Sequence, residues 1–404
     1  MTENCYNHRE TRDARRETRD ARLLTSKNSN YYNSSNSPKF SKFSNKYLRN
    51  LKPYKTASHK IWSVSDQERG EILKLDWNEA AIPPAPEVAE AVLNLAAKQD
   101  IFNLYPAVYN KELLNALSNY TGLPAENLQY FASSDYLHEY IAEVFINIGD
   151  PVLILWPSYD NFRLTAEGAG SKIYYSELEP DFNFNFRKFE ADLQKIFPSL
   201  VYICNPNNPT GTLIEPELIE KLLNNFPDTL FLIDEAYGEF AGSSVNDLVL
   251  SHDNLMVSHT MSKAFALAGF RFGYLAADYK IINDISKVRN PKNITAFAQA
   301  ACLAALSNTE YMFNYVREVK AAREFFINFI NLNLNNNLKA YTSHGNFVLI
   351  KCGSSFIKNK ILAGLEAENI FVRNISLENC FRVTVGIKAQ MQRVASAIQK
   401  ILEA

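Results

Sequence analysis

Short apolar runs alternate with amphipathic stretches through the centre of the chain. Each run has the length and the β-branched or aromatic content of a buried strand. These strand-like runs lie at 128–131, 151–156, 172–178, 200–204 and 230–234. Stretches with helical spacing of apolar residues lie between them, near 187–196 and 215–225. This alternation predicts a mostly parallel sheet covered on both faces, with chemistry at the carboxyl ends of its strands.

The last hundred residues follow a different pattern. A long helical stretch at 309–334 precedes three strand-like runs and an amphipathic helix that reaches the end of the chain. The runs are 346–352, 370–375 and 380–386. The pattern therefore predicts an α/β protein in which a large domain is followed by a linking helix and a small α+β domain. The predicted divisions are a disordered low-complexity extension at 1–46, an N-terminal arm and start of the small domain at 47–77, the large domain at 78–307, and the linking helix with the small C-terminal domain at 308–404.

The N-terminal extension contains a perfect duplication. RETRDAR occurs twice in succession at 9–22, and a tract rich in Ser and Asn follows from Thr25 to Asn45. Nothing in these residues can form a core, so disorder is the expected state, and a short charged helix that binds a partner is the alternative. The stretch has no apolar period, which argues against a DNA-binding helix-turn-helix.

Composition narrows the class of protein. The chain has 404 residues, 47% of them hydrophobic, and a formal net charge of −2. A near-neutral charge favours neither nucleic acid nor an anionic membrane as a partner. The longest apolar runs are far shorter than the roughly 20 residues that span a bilayer, and no signal peptide is apparent, so a cytoplasmic location is expected.

The metal-binding residue types lack metal-site spacing. The five cysteines include no C-x-x-C pair, and the six histidines include no H-E-x-x-H motif. We expect reduced thiols in the core and no metal site.

The chemistry is centred on Lys263. This lysine lies in a stretch from 255 to 275 that predicts a buried strand, a hydroxyl-rich turn, a short helix of small residues and a second strand. Apolar neighbours disfavour the ammonium form and favour a nucleophilic amine, which makes Lys263 a candidate for a Schiff base. Ser262 and Arg271 add a hydroxyl and a cation that suit a phosphate group. The alternative is a structural lysine that extends its amine to the surface.

Two more motifs occur at strand ends. The run at 230–234 ends in Asp234, and a buried carboxylate is costly unless a cation meets it. The protonated ring nitrogen of pyridoxal phosphate is such a cation, and a lysine holds the aldehyde of that cofactor. The strand at 200–204 runs into the turn NPNNPTG, which no core requires. Together with Lys263, these motifs predict a pyridoxal phosphate site.

Two further positions suggest anion binding. The turn at Ser133, Ser134 and Asp135 precedes a helix, whose free N–H groups and dipole form a potential phosphate site. A plain helix N-cap is the alternative there. Arg382 lies within a buried strand and requires an anionic partner, either a substrate carboxylate or a structural acid.

Three motifs also carry a resemblance to a known family. NPNNPTG at 205–211, Asp-Glu-Ala-Tyr at 234–237 and SKAFALAGFR at 262–271 resemble the fold-type I pyridoxal phosphate aminotransferases, most closely the histidinol-phosphate aminotransferase group. The similarity runs from about Leu75 to the C-terminus. It implies the fold-type I architecture, with a large cofactor-binding domain at 78–307.

The resemblance implies a role for each matching residue. Lys263 would hold the cofactor and move the substrate proton, Asp234 would bind the ring nitrogen, and Tyr237 would bind the ring hydroxyl together with Asn208. Tyr159 would stack on the ring. The phosphate would be bound by Ser133, Ser134, Asp135, Thr260, Ser262, Arg271 and Tyr105 of a second subunit, which implies a homodimer with shared active sites. The substrate would contact Asn78, Arg373 and Arg382.

The expected reaction is transfer of an amino group from an amino acid, with glutamate as the expected donor, to a small phosphorylated keto compound. The segment at 80–84 departs from the Asn-Pro-x-Gly pattern of the family, which leaves the identity of that compound open. Two alternatives remain. One is a decarboxylase of a phosphorylated amino acid, similar to the threonine-phosphate decarboxylases, and the other is a cofactor-bound regulator without turnover.

Overall fold

The computed structural model describes residues 43–52 and 60–404. The chain separates into two units, Met1–Asn50 and Leu51–Ala404. In the first unit, the described part contains a 3-10 helix at Lys46–Asn50. Most of the predicted extension at 1–46, including its duplication, lies outside the described residues. All features below belong to the second unit.

The strands of the second unit are as follows. They are β1 Leu73–Leu75, β2 Leu128–Phe131, β3 Pro151–Trp156, β4 Lys172–Glu177, β5 Leu200–Cys204, β6 Leu230–Asp234, β7 Leu255–Thr260, β8 Gly273–Ala277, β9 Leu338–Ala340, β10 Phe347–Cys352, β11 Ile370–Asn374 and β12 Cys380–Thr384.

The α-helices of this unit lie before, between and after these strands. They are α1 Asp66–Glu71, α2 Pro86–Ala96, α3 Lys111–Thr121, α4 Ser134–Phe145, α5 Asn161–Ala169, α6 Phe186–Ile196, α7 Pro216–Asn225, α8 Gly238–Ala241, α9 Tyr279–Val288, α10 Ala296–Ser307, α11 Thr309–Asn333, α12 Ser355–Ala367 and α13 Lys388–Glu403. Shorter 3-10 helices lie at Lys60–Trp62, Gln99–Phe102, Ala125–Asn127, Asn246–Leu250 and Ala268–Phe270.

The larger sheet has seven strands in the order β2-β8-β7-β6-β5-β3-β4. Strands β4, β3, β5, β6 and β7 pair in parallel, whereas β8 is antiparallel to both of its neighbours. The prediction of a mostly parallel sheet in an α/β fold is therefore confirmed. In the register of this sheet, Asp234 lies between Cys204 and Ser258 at the carboxyl end of β6.

The smaller sheet has five strands in the order β1-β11-β12-β10-β9. Strand β1 comes from the N-terminal side of the chain and pairs in parallel with β11. Strands β11 and β12 are antiparallel and place Arg373 opposite Arg382. This pairing brings the segment after β1, which contains Asn78, next to the strand that carries Arg382. The predicted boundaries between a large and a small domain stay a prediction.

Local signals explain where the helices begin and end. In α3, Asn110 is the N-cap and accepts a hydrogen bond from Leu113 N, and Gly122 ends the helix with a φ of 75°. That left-handed conformation has no steric cost for glycine. The buried face of the helix carries Leu113, Leu114 and Leu117, which have helical spacing.

The structure also bears on the predicted state of the cysteines and on membrane-spanning helices. The cysteines among the described residues, Cys204, Cys302, Cys352 and Cys380, are free and buried, as predicted. In the described part of the chain, no helix has both the length and the apolar character needed to cross a bilayer. The cytoplasmic location stays a prediction.

Candidate active site

Lys263 lies in the segment that joins β7 to β8. Its Nζ donates a hydrogen bond to the backbone oxygen of Trp77 at 3.0 Å and lies 6.0 Å from the ring centre of Tyr237. Burial, followed by the positive charge of Arg382, lowers the pKa of the Lys263 amine to about 8, while Glu79 opposes this shift. Near physiological pH, a larger fraction of this amine is therefore neutral than in a lysine with the ordinary pKa of 10.5, and the neutral form is the nucleophile.

The phenol of Tyr237 is held from two sides. Asn78 Nδ2 and Asn208 Nδ2 donate hydrogen bonds to its Oη at 3.0 and 3.2 Å. Burial raises the pKa of this phenol, and the charge of Arg382 opposes the increase. The predicted residues Tyr237, Asn208 and Asn78 therefore meet at one oxygen, next to Lys263.

Arg382 completes this group. Its Nη1 donates to Asn208 Oδ1 at 2.6 Å, and its Nη2 donates to the backbone oxygen of Asp76 at 2.7 Å. Both acceptors are neutral oxygens, and Arg382 as a whole residue is only 7% exposed. Arg373 lies directly across the β11–β12 pair, which places two cations on neighbouring strands.

The position of Asn78 is fixed by the smaller sheet. Its backbone N–H donates to Thr384 Oγ1 at 3.0 Å, the Thr384 hydroxyl donates to Asn78 Oδ1 at 3.1 Å, and Asn346 Nδ2 donates to its backbone oxygen at 3.1 Å. Asn78 has a φ of 54°, a left-handed conformation that asparagine tolerates better than most residues. In the segment at 80–84, which departs from the family pattern, Ala81 N donates to Tyr315 Oη at 2.9 Å. Helix α11, which carries Tyr315, therefore fixes this segment too.

The turn before α4 forms the other end of the site. Ser133 is the N-cap of α4 and accepts a hydrogen bond from Tyr136 N, with a φ of 90° that is unusual outside glycine. The carboxylate of Asp135 accepts hydrogen bonds from Tyr159 Oη at 3.1 Å, Asn161 Nδ2 at 2.9 Å and Arg271 Nη2 at 3.2 Å. The sequence suggested only backbone N–H groups here. Asp135 in addition ties Tyr159 and Arg271 together.

A cleft of about 670 Å³ opens at this turn. Its polar lining includes Ser133, Asp135, Asn161, Arg271, Asn293 and Thr295. Behind it, the hydroxyls of Thr260 and Ser262 lie 2.9 Å apart, and both residues are buried. A Cβ at Gly273 would lie 2.6 Å from Ser134 N, so β8 approaches the start of α4 closely. The predicted phosphate residues of this chain therefore surround one helix N-terminus.

Asp234 lies beneath these groups and is only 2% exposed. Tyr202 Oη donates a hydrogen bond to its Oδ2 at 2.8 Å, and Ala236 N donates to its Oδ1 at 3.2 Å. His138 Nε2 lies 4.0 Å from Oδ2. Buried carboxylates are stable when hydrogen bonds or cations satisfy them, and these donors fix the orientation of this one.

Tyr105 stands apart from the other predicted residues. The residue is 79% exposed, and the centre of its ring lies 4.9 Å from a cation, Lys292 Nζ. Within a single chain, the structure therefore does not bring Tyr105 into the group around Lys263. Its predicted role in a second subunit stays a prediction.

Sequence reasoning missed several groups that hold the site together. They are the backbone oxygens of Asp76 and Trp77, and the side chains of His138, Tyr202, Asn346 and Thr384. Tyr202 lies within the predicted strand, two residues before Cys204. A hydroxyl at this buried position is a signal that could have indicated a polar partner. The histidine and the backbone oxygens gave none, because their partners are distant in sequence.

The chemistry of these donors fits pyridoxal phosphate. Backbone N–H groups at the start of α4 and the Arg271 guanidinium suit a phosphate. The Lys263 amine, with its lowered pKa, suits an aldehyde, and the buried Asp234 suits a protonated ring nitrogen. Because the Lys263 pKa responds to both Arg382 and Arg271, the amine lies within electrostatic range of both ends of the site.

Comparison with known proteins gave consistent matches. The family model described as aminotransferase class I and II matches residues 70–398. A dihydroxyacetone phosphate transaminase of Campylobacter jejuni is 40% identical over 361 residues, which cover 88% of this chain and 96% of the relative. A histidinol-phosphate aminotransferase of Methanococcoides burtonii is 33% identical over 340 residues, which cover 83% of this chain and 91% of the relative.

A solved structure has the same fold. The histidinol-phosphate aminotransferase from Sinorhizobium meliloti in complex with pyridoxal-5'-phosphate superposes with a TM-score of 0.79 and 24% identity. The match covers 91% of this chain and 99% of that chain.

Proposed function

Because this chain belongs to the class I and II aminotransferases, which use pyridoxal phosphate, we propose that it transfers an amino group from glutamate to a small phosphorylated keto compound. The family match covers residues 70–398, which contain all the predicted site residues. The relative with 40% identity is named for the transamination of dihydroxyacetone phosphate, a small phosphorylated ketone. That name supports the substrate class proposed for this chain.

The observation that carries the proposal is the environment of Lys263. The Lys263 amine, whose pKa is about 8, lies beside the phenol of Tyr237, to which two asparagines donate hydrogen bonds. It also lies within electrostatic range of Arg382 and Arg271. An amine needs this lowered pKa both to attack an aldehyde and to accept a proton from a substrate carbon. A structural lysine at the surface would keep its ordinary pKa.

When bound, pyridoxal phosphate supplies an aldehyde that condenses with amines and a ring that accepts electrons from the substrate carbon. We assign Lys263 the covalent attachment and the proton transfer at the substrate carbon. Asp234 would hold the proton on the ring nitrogen. Tyr237 and Asn208 would bind the ring hydroxyl, and Tyr159 would pack against the ring.

The phosphate end of the cofactor is assigned to the turn before α4 and the strand ends beside it. Ser133, Ser134 and Asp135 offer backbone N–H groups at the helix N-terminus. Thr260, Ser262 and Arg271 lie behind them and add hydroxyl and guanidinium donors.

Substrate anions are assigned to the paired arginines. Arg382 is anchored by Asn208 and Asp76 and presents a planar fork that suits a carboxylate. Arg373, opposite it on β11, suits the substrate phosphate. Asn78, which donates to Tyr237 Oη and is bound to Thr384 on the strand of Arg382, is assigned the orientation of the substrate. This arrangement serves a carboxylate donor in one half-reaction and a phosphorylated acceptor in the other.

The partner we propose is a second copy of the chain. Helix α2 and the segment after it expose several large apolar side chains to solvent. They are Leu93 at 70%, Phe102 at 66%, Leu104 at 59%, Val108 at 47% and Tyr109 at 60%. An apolar face of this kind is typical of an interface, and Tyr105 belongs to it, with a side chain that could complete the phosphate end of the other subunit.

The proposal is tested with purified protein loaded with pyridoxal phosphate. We expect glutamate to be converted to 2-oxoglutarate in amounts equal to the enzyme when no acceptor is present, and to turn over when a phosphorylated ketone is added. Lys263→Ala is expected to lose at least about 1,000-fold in kcat. A Lys263→Ala variant with native kcat would refute the assignment.

A panel of acceptors with and without a phosphate tests the substrate class. Arg373→Gln is expected to raise the KM of phosphorylated acceptors by about tenfold or more, while Arg382→Gln raises the KM of glutamate. Release of carbon dioxide without any keto acceptor would favour the decarboxylase alternative. Conversion of glutamate would eliminate a regulator without turnover.

A further inference from the structure

A polar pair lies behind Asp234, on the side of the larger sheet that α4 covers. We propose that His138 and Tyr202 are positioning residues, which hold the Asp234 carboxylate in place for the ring nitrogen of the cofactor. This inference rests on the proposed function, since it assigns a task to residues that serve the proposed role of Asp234. Neither residue belongs to the motifs that identify the family.

Tyr202 acts directly on the carboxylate. Its Oη donates a hydrogen bond to Asp234 Oδ2 at 2.8 Å, and the Tyr202 side chain is fully buried. Burial, together with the neighbouring charge of Asp234, raises the pKa of the phenol, so its proton stays on oxygen. A hydroxyl that keeps its proton remains a hydrogen-bond donor. Its hydrogen bond to a charged carboxylate is stronger than a hydrogen bond to a neutral acceptor.

His138 acts on the same oxygen from α4. Its Nε2 lies 3.3 Å from Ser258 Oγ and 4.0 Å from Asp234 Oδ2. Ser258 is the register partner of Asp234 on β7, so the serine, the histidine and the carboxylate form one cluster. The imidazole ring contributes an N–H dipole that points at this cluster when the proton is on Nε2.

The surroundings of His138 favour this tautomer. Among the described residues, its Nδ1 has no hydrogen-bond partner, and the ring is completely buried. Phe162 and Tyr202 pack edge-on against it with ring centres 5.5 and 5.7 Å away. Since the polar partners all lie on the Nε2 side, a proton there gains a hydrogen bond to Ser258, whereas a proton on Nδ1 would lack an acceptor.

The burial cost indicates that the imidazole has a task. The same face of α4 carries Leu137, Ile141 and Ala142, which need no polar partner. A buried imidazole with one unsatisfied nitrogen is less stable there than an aliphatic side chain. Its benefit is therefore expected in the electrostatics of Asp234, beside which it lies.

The experiment measures the affinity of the protein for pyridoxal phosphate and the pH midpoint of the visible absorption of the bound cofactor. Tyr202→Phe removes one hydroxyl without changing the ring, and His138→Leu removes the imidazole. We expect each variant to bind the cofactor about tenfold more weakly and to shift the pH midpoint, with kcat lowered and the KM of glutamate nearly unchanged. Because both side chains act on Oδ2, we expect the double variant to lose less than the product of the two effects.

His138→Gln and two controls separate positioning from packing. Glutamine can present an N–H towards Ser258, so His138→Gln is expected to recover part of the affinity that leucine loses. Leu137→Ala should lower the melting temperature while the affinity stays native. Tyr274→Phe removes another buried hydroxyl, one whose electrostatic neighbours are Tyr120, Glu239 and Glu235, and should have no effect on the cofactor.

Native affinity and a native pH midpoint in both Tyr202→Phe and His138→Leu would overturn the proposal, whatever their stability. Equal losses in His138→Leu and His138→Gln, with the loss in Leu137→Ala as large, would overturn the role of His138. A native protein that binds no pyridoxal phosphate would refute the proposed function itself and this inference with it. Binding without transamination would refute only the proposed function.

Discussion

Lys263 shows how a single residue responds to the charges around it. Its pKa is lowered to about 8 from an ordinary 10.5, with burial as the largest cause and Arg382 next, while Glu79 raises it. Because the pKa is lowered, the neutral amine forms at a lower pH than in an ordinary lysine. The pKa of Lys263 is therefore set by the side chains around it, and not by its position in a motif alone.

The first prediction concerns cofactor capture by the cofactor-free protein. We expect the rate to rise with pH through a midpoint of about 8 and then to level off, because only the neutral Lys263 amine attacks the aldehyde. Arg382→Gln should move the midpoint to higher pH, and Glu79→Gln should move it to lower pH. Stopped-flow absorbance between about pH 6 and about pH 10 measures these midpoints. Shifts of both variants in the same direction would contradict the electrostatic origin of the pKa.

Single residues differ in how far sequence could predict them. Asp234 ends a strand-like run, and Lys263 and Asn208 each follow one, so their gathering at one edge of the sheet could be expected. His138 could not be assigned, because a histidine within a helical pattern carries no information about what it faces across the sheet. The same holds for Trp77, whose backbone oxygen binds Lys263 across 186 positions of the chain.

At the scale of elements, β8 and the start of α4 meet at Gly273. This residue pairs with Phe131 on one side and Thr260 on the other. A Cβ there would lie 2.6 Å from Ser134 N and 2.8 Å from His259 O, which are both backbone atoms and cannot turn away. The glycine therefore allows the predicted phosphate turn to lie directly on the sheet.

The second prediction is that Gly273→Ala displaces this turn. We expect it to destabilise the protein by about 1–3 kcal/mol, as overpacking does, and to weaken cofactor binding by about tenfold or more. Calorimetry and a cofactor titration measure the two effects. Gly269→Ala is the matched control, since a Cβ there meets nothing within 4 Å, and its effect should stay within about 0.5 kcal/mol. Native affinity in Gly273→Ala would show that the close approach does not position the turn.

Glu235 joins β6 to the elements that follow it. Its Oε2 accepts a hydrogen bond from the Ser244 hydroxyl at 2.6 Å, and its Oε1 accepts one from Val245 N at 2.8 Å. Complete burial nevertheless raises the pKa of this carboxyl from 4.5 to about 8. The folded state therefore favours the protonated form, and the unfolded state releases the proton at lower pH.

The third prediction follows from the sign of that shift. An acid with a raised folded pKa contributes its full stability below its unfolded value, here 4.5, and loses that contribution as the pH rises to about 8. We therefore expect Glu235→Gln to gain stability relative to the native protein between about pH 5 and about pH 9, as measured by urea unfolding. Glu318→Gln, at an exposed position of α11, should show no such trend. A constant difference between native and Glu235→Gln protein across this range would contradict the raised pKa.

Elements were more predictable than their partners. The apolar runs marked β3, β5 and β6 closely, because each strand is short, buried and flanked by turns. The pairing of β1 with β11 joins residues about 300 positions apart, and no local pattern encodes such a contact. The antiparallel direction of β8 likewise depends on the short turn after Lys263, whose path the sequence did not specify.

At the scale of the whole molecule, Tyr105 is the predicted site residue that lies apart from the group around Lys263. Tyr105 was predicted to bind the cofactor phosphate of another subunit, and the residue is 79% exposed in a single chain. Exposed apolar residues precede it in the chain, among them Leu93 on α2 and Phe102 in the following segment. A twofold dimer through this face would bury them and exchange the two tyrosines.

The fourth prediction tests this exchange with mixed dimers. Lys263→Ala protein should be inactive, and Tyr105→Ala protein should bind the cofactor about tenfold more weakly and be nearly inactive when the cofactor is limiting. If Tyr105 serves the other subunit, a mixed dimer contains one site with native Lys263 and native Tyr105, and one site that lacks both. Random assembly of equal amounts makes about half of the dimers mixed, so about a quarter of all sites should regain native affinity and activity.

The contrary arrangement has a distinct outcome. If Tyr105 served its own chain, every site with Lys263 in the mixed sample would lack the tyrosine, and assembly would restore nothing. Purifying the mixed species through two different tags raises the expected recovery to about half of its sites, which separates true exchange from residual activity of the Tyr105→Ala homodimer. The control is the pair Lys263→Ala and Arg271→Ala, because both residues are assigned to the site of their own chain. Their mixed dimers should show no recovery if Arg271 binds the phosphate within its own chain, because one subunit of each mixed dimer then lacks the amine and the other lacks the guanidinium.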